Sequence, residues 1–215
     1  MSEPLGDHPL RTEAFVYAER LLFKDIVDGG KWSAEQEGKV LLPMARQLVE
    51  QGGDATREGM QLARFFELDK HRANVFTHVI RTSEDPDLRR EAIGHLLKVE
   101  GENDRSDGLM VAAGSPDTYV AHAALVAVDD IKRDVNQSMV VGAGIRNENE
   151  GVANLALNIA RTFDSEQRIG RILREGLRSK HSAIRERCLS RAQKSGDSNV
   201  RNRVLRDATA LGLME

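Results

Sequence analysis

Four arginines in the stretch SEQRIGRILREGLRSK, Arg168, Arg171, Arg174 and Arg178, recur at spacings of 3, 3 and 4. On a helix this spacing gathers them on one flank, with Ile169, Ile172, Leu173 and Leu177 on the other. A guanidinium group offers a planar fork of donors that pairs with carboxylate or phosphate oxygens through two bonds at once. Arg201, Arg203 and Arg206 repeat the theme further along. Side by side, the two helices would present a basic surface with Arg168, Arg171, Arg174, Arg178, Arg201 and Arg203 as candidate binding residues. An acidic protein segment or phosphates would be its ligand. Arginine is also a good helix former, and solvated helix faces carry charge, so the same pattern fits a surface with no ligand.

Other candidates carry less chemistry. The histidines, at 8, 71, 78, 95, 122 and 181, include His71 and His78 on one helix face, but the closely spaced ligands or cysteines of a zinc site are missing. Neither a metal nor a cofactor is expected. Cys188 is the single cysteine and cannot form an internal disulfide. VVGAGIRNENEG lacks the G-x-G-x-x-G spacing and the preceding strand of a phosphate loop. With no Ser, His and Asp set and no carboxylate pair at a motif spacing, a non-enzymatic role is expected.

The elements that would position these residues form a repeat. Leu88, Val120, Val152 and Ile184 follow at steps of 32, since 120 − 88 = 152 − 120 = 184 − 152. Four positions on, the column reads Ala92, Ala124, Ala156 and Cys188, and the next reads Ile93, Leu125, Leu157 and Leu189. Cys188 therefore reads as a small buried apolar group. A second set of columns holds Phe76, Val140, Ile172 and Val204, interrupted only by Gly108. Beside it run Thr77, Leu109, Val141, Leu173 and Leu205, then Ile80, Ala112, Gly144, Gly176 and Ala208. Each unit therefore reads as two amphipathic helices. Asp85, Asp117 and Asn149 stand three positions before the first column, where a short polar side chain caps a helix, and Pro86 suits a first helical turn. Short polar connectors such as EGENDRSD and FDSEQ force antiparallel hairpins.

The stretches DPDLRREA (85–92) and HSAIRERC (181–188) resemble the short HEAT-like repeats of phycocyanobilin lyases, in which an acid precedes a Val-Arg pair and an alanine. The resemblance covers roughly residues 54–210. The arginine stands at Arg57, Arg89 and Arg185, while Ala121 and Ala153 replace it in the middle copies. It implies an all-α fold, an α-solenoid of antiparallel helix pairs whose usual role is binding. A bilin-lyase-like activity is the one enzymatic possibility it suggests.

N-terminal to the repeat, RTEAFVYAERLLFKDIVDGG predicts one amphipathic helix, and SAEQEGKVLLPMARQLVEQGG a second. Ser33 and Gln36 are spaced as a capping box beside Trp32, and Pro43 should kink this helix or start a new one. Residues 1–52 read as an N-terminal tail and helical cap, continuous with repeats and a C-terminal cap over 53–215.

The net charge of -3 argues against a general nucleic-acid or membrane-surface binder. The charge is unevenly spread. Residues 161–215 hold 13 basic and 7 acidic residues (13 − 7 = +6), leaving 18 and 27 for residues 1–160 (18 − 27 = −9). Aromatic residues are 4% of the chain, too few for an evident base-stacking platform. With no membrane-spanning run and no secretory leader pattern, a cytoplasmic location is expected. The expected function is a scaffold that recognises a protein partner on the concave surface, an acidic partner being what the C-terminal arginines would steer, and nucleic-acid binding through the basic C-terminal face is the alternative. Leu211, Leu213 and Met214 leave self-association open.

Overall fold

The computed structural model describes residues 37–214, together with Ser33 and Glu35. The helix predicted over RTEAFVYAERLLFKDIVDGG, Trp32 and the Gln36 half of the capping pair lie outside the described residues. Among the described residues there are helices and no strands. A short π-helix, Glu37–Leu41, leads into α1, Leu42–Gln51, with Pro43 in its first turn. Leu41 keeps helical φ and ψ, so the chain stays helical through this point and Pro43, which has no N–H to donate, sits just after the change from π to α geometry. The following helices are α2 (Gly53–Ala63), α3 (Asp69–Thr82), α4 (Pro86–Leu96), α5 (Glu102–Ala113), α6 (Thr118–Val126), α7 (Asp134–Ile145), α8 (Glu150–Ile159), α9 (Glu166–Gly176), α10 (Ser182–Gln193) and α11 (Ser198–Ala210). Both α6 and α8 end in a 3₁₀ turn.

The starts of α5, α7, α9 and α11 are separated by 32 residues, and so are those of α4, α6, α8 and α10. Odd-numbered helices pack on one another in order from α1 to α11, and even-numbered helices contact one another more sparingly. The apolar columns of both helix types form the core, where Leu88, Val120, Ala124, Val140, Ala156, Ile172, Ile184, Cys188 and Val204 are fully or almost fully buried. Gly108 belongs to this core. A Cβ there would stand 2.6 Å from Thr77 Oγ1 and 2.7 Å from both methyl groups of Leu96, so the missing side chain is the space that Leu96 occupies.

Local hydrogen bonds set the starts of the even helices. The Asp85 carboxylate accepts from Asp87 N at 2.8 Å, Asp117 from Tyr119 N at 2.9 Å, and Asn149 from Gly151 N at 2.9 Å. Each satisfies an amide that the first turn leaves unpaired. Asn147 is also buried, and its amide donates to Ala113 O at 2.8 Å and Ser115 O at 2.9 Å, tying one turn to its equivalent in the preceding unit.

A second set of bonds runs between units along the N-terminal ends of the odd helices. Glu37 accepts from Glu67 N at 2.6 Å, Leu68 N at 3.2 Å and His71 Nδ1 at 2.7 Å. Asp69 accepts from Gly101 N at 2.6 Å, and Glu102 from Arg133 N at 2.9 Å. Asp134 pairs with Arg168 at 2.8 Å, and Glu166 accepts from the Ser195 hydroxyl at 2.7 Å. An acid at the head of one unit thus receives donors from the head of the next. Arg105, Gln137 and Arg201 add a shorter link, each donating to the carbonyl six residues earlier, on Val99, Ile131 and Ser195.

No helix among the described residues is long and apolar enough to cross a membrane.

Candidate functional site

The candidate arginines part company in three dimensions. Arg168 has a side chain only 17% exposed; it pairs with Asp134, donates to Gln137, and lies 4.5 Å from the centre of the Phe163 ring. Arg201 donates to Ser195 O at 3.3 Å, and Arg178 to Glu175 at 3.1 Å. These contacts lie within the fold. Arg174 pairs with Asp207 across α9 and α11 at 2.5 Å. Arg171 and Arg203 are exposed and enter no hydrogen bond or ion pair with the described residues.

Arg171, Arg174 and Arg203 line one groove of about 280 Å³ between α9 and α11, with Gln167, Asp197 and Asn199. Its floor is set by Gly170, Val200 and Val204. A Cβ on Gly170 would fall 2.7 Å from Val200 Cγ1, so glycine is what lets α11 approach α9 this closely. Asp197 is already engaged in capping α11, accepting from Asn199 N at 2.8 Å and Val200 N at 3.1 Å. Two guanidinium groups with no counter-ion among the described residues, next to one that pairs with Asp207, give the groove a positively charged lining.

The adjoining odd helix contributes apolar surface. On α7, Val135 is 51% exposed and Met139 37% exposed. Met139 and Arg171 are equivalent residues of successive units (171 − 139 = 32), as are Arg171 and Arg203 (203 − 171 = 32). Val135 and Met139 were not among the candidates read from sequence. Their signal is that they stand outside the three apolar columns of the odd helices, so a core role does not account for them. Towards the N-terminus, α1, α3 and α5 enclose a groove of about 520 Å³ lined by mixed charge, with Arg46, Lys70 and Arg81 against Asp104 and Asp107. His71 and His78 both line it. Burial and the Arg46 guanidinium hold the His78 pKa below its usual value, against the opposing pull of the Glu50 carboxylate at 3.4 Å. Among the described residues, no three His, Cys, Asp or Glu side chains gather as a metal site requires.

Cys188 is buried between α10 and α9, and burial pushes its thiol pKa up to about 12. A nucleophile needs the thiolate, so this environment opposes nucleophilic chemistry.

No family model matches the chain, and searches of curated proteins and of solved structures found no match.

Proposed function

We propose that the chain is a non-enzymatic binding protein, a HEAT-like α-solenoid whose odd helices line the concave face and receive an acidic protein segment. The observation that carries this reading is the pair of counter-ion-free guanidiniums, Arg171 and Arg203, on a groove between two odd helices. The exposed Val135 and Met139 lie on the next odd helix. Neighbouring packed helices are about 8–10 Å apart. A partner that rests apolar side chains on α7 then places carboxylates over α9 and α11, about 10–20 Å away, a span of roughly three to six extended residues. Cations fix orientation and speed encounter, while the apolar strip contributes burial.

Selection of displayed random peptides on the protein tests this. Enriched sequences should carry apolar residues followed or preceded at that distance by Asp or Glu, and Arg171→Glu/Arg203→Glu should abolish their binding with helicity unchanged. Enrichment without acidic residues, or full binding by the double variant, removes the reading. The same arginines keep nucleic acid as the second reading. Binding of duplex DNA that falls steeply with salt and is lost in the same variant would favour it.

A further inference from the structure

A further cleft, of about 510 Å³, opens between α8, α9 and α10, apart from the groove of Arg171 and Arg203. It coincides with one substitution in the repeat. The residue two positions before each odd-helix N-cap is Val99, Ile131 and Phe163 in three successive units, buried to 2%, 2% and 8% exposure. In the last unit the equivalent position is Ser195 (195 − 163 = 32), which lines the open cleft. The position no longer holds an apolar plug, and Leu157, Ile169 and Leu173, at 2%, 6% and 1% exposure, show a narrow apolar strip to the cleft.

Charge departs from the repeat at the same place. Arg161, Arg187, Arg191 and Lys194 line the cleft. Thirty-two positions earlier these sites hold Asp129, Leu155, Ile159 and Thr162, none of them a cation. None of the four cations forms an ion pair with the described residues. Arg187 is steadied by the neutral side-chain oxygens of Asn154 and Asn158, which orient its guanidinium without cancelling its charge. Glu166 is the one carboxylate in the lining, and it already accepts from Ser195. Ser190 adds a hydroxyl.

The volume falls in the range of small-molecule sites. Clustered guanidinium groups select phosphate or carboxylate oxygens, and the surplus of four cations over one carboxylate favours a doubly charged head. The wall is aliphatic, with no aromatic ring on which a base could stack. We propose that this cleft binds a small phosphate monoester with an aliphatic body, the phosphate lying among Arg161, Arg187, Arg191 and Lys194 and the carbon chain against Leu157, Ile169 and Leu173.

Calorimetric titration of the full chain with n-hexyl phosphate, with inorganic phosphate in parallel and ionic strength held constant, tests it. Saturable binding tighter than about 1 mM is expected, with inorganic phosphate weaker for want of the apolar contact. Arg187→Gln/Arg191→Gln should weaken it at least tenfold, and Ser195→Phe, which restores the plug, should abolish it. Lys194→Gln, on the exposed rim where folding is not at stake, should weaken it a few-fold. The groove variant Arg171→Glu/Arg203→Glu should bind hexyl phosphate as the unaltered chain does, which separates this site from the proposed protein-binding face. Absence of saturable binding, or equal affinity in the Lys194→Gln and Arg187→Gln/Arg191→Gln proteins, would overturn the assignment.

Discussion

A methyl group added to Gly176 would place its carbon 2.3 Å from the sulfur of Cys188. That contact joins the third apolar column of the odd helices to the small-residue column of the even helices. One unit earlier the facing pair is Gly144 and Ala156, where an added Cβ would come within 3.0 Å of the alanine methyl. Two units earlier the corresponding residues are Ala112 and Ala124, both fully buried. The chain thus keeps the helices of a pair close by trading volume across them, and the one cysteine stands opposite a glycine.

The trade predicts a coupled pair of substitutions. Gly176→Ala alone should destabilise the fold by about 1–3 kcal/mol, because Cys188 is fully enclosed and cannot swing away. Combined with Cys188→Ala, it reproduces the alanine pair found two units earlier, and the double variant should recover much of the loss. Urea unfolding of the two single variants and the double gives the coupling directly. Additive losses would show that the two residues do not share one space.

The same burial predicts an unreactive thiol. With its pKa raised from 9.0 to about 12, Cys188 favours the fold in its protonated form. This contribution is complete below about pH 9 and is lost as pH rises towards 12, since the unfolded chain ionises first. A thiol reagent at pH 8 should label Cys188 only through the unfolded state, and added urea should speed labelling in step with the unfolded fraction. Fast labelling in native buffer would contradict the packing around Gly176.

Part of this organisation was legible in the residues and part was not, for definite reasons. Caps such as Asp85, Asp117 and Asn149 could be read because a cap bonds amides two or three residues away. The 32-residue step could be read because each core position recurs without insertion. The acid-to-head bonds between units could not. About half of their donors are backbone amides, which leave no mark in a sequence, and their acids alternate between Asp and Glu, with Asp69 one position out of register with Glu102. Arg168 and Arg171 look alike on a helical wheel, yet only the packing of α7 against α9 brings Asp134, and with it a buried role, to Arg168. The Ser195 cleft left a readable sign, a polar residue closing the column Val99, Ile131 and Phe163.

The inter-unit acids should differ in worth according to how many donors each one serves. Glu37 is 1% exposed and holds two partly buried amides and the buried His71 ring, so Glu37→Leu leaves all three without their acceptor and should cost about 3 kcal/mol. Asp69 is partly exposed and serves Gly101 N together with Arg72 on its own helix, where water can replace some of what is lost. Asp69→Ala should cost about 1 kcal/mol. Thermal unfolding of the two variants would rank them, and equal losses would mean that burial does not set the strength of these links.

Acid sensitivity should come from two histidines. Burial is the largest influence on both His78 and His95, and it lowers each pKa from 6.5 by disfavouring the charged ring. Arg46 acts in the same direction on His78, and Arg64 and Lys98 on His95, while Glu50 and Glu91 oppose them. His95 also stacks on Phe76, with ring centres 5.1 Å apart. Because the folded pKa lies below the unfolded one, the unfolded state takes up protons first as pH falls. The stabilising contribution is therefore present above pH 6.5 and is lost as pH drops through the folded values. Replacing His95 with Gln, which cannot charge, should flatten the fall in melting temperature between about pH 6.5 and 5 relative to the unaltered chain. If the slope is unchanged in both His95→Gln and His78→Gln, these two histidines do not set the acid response.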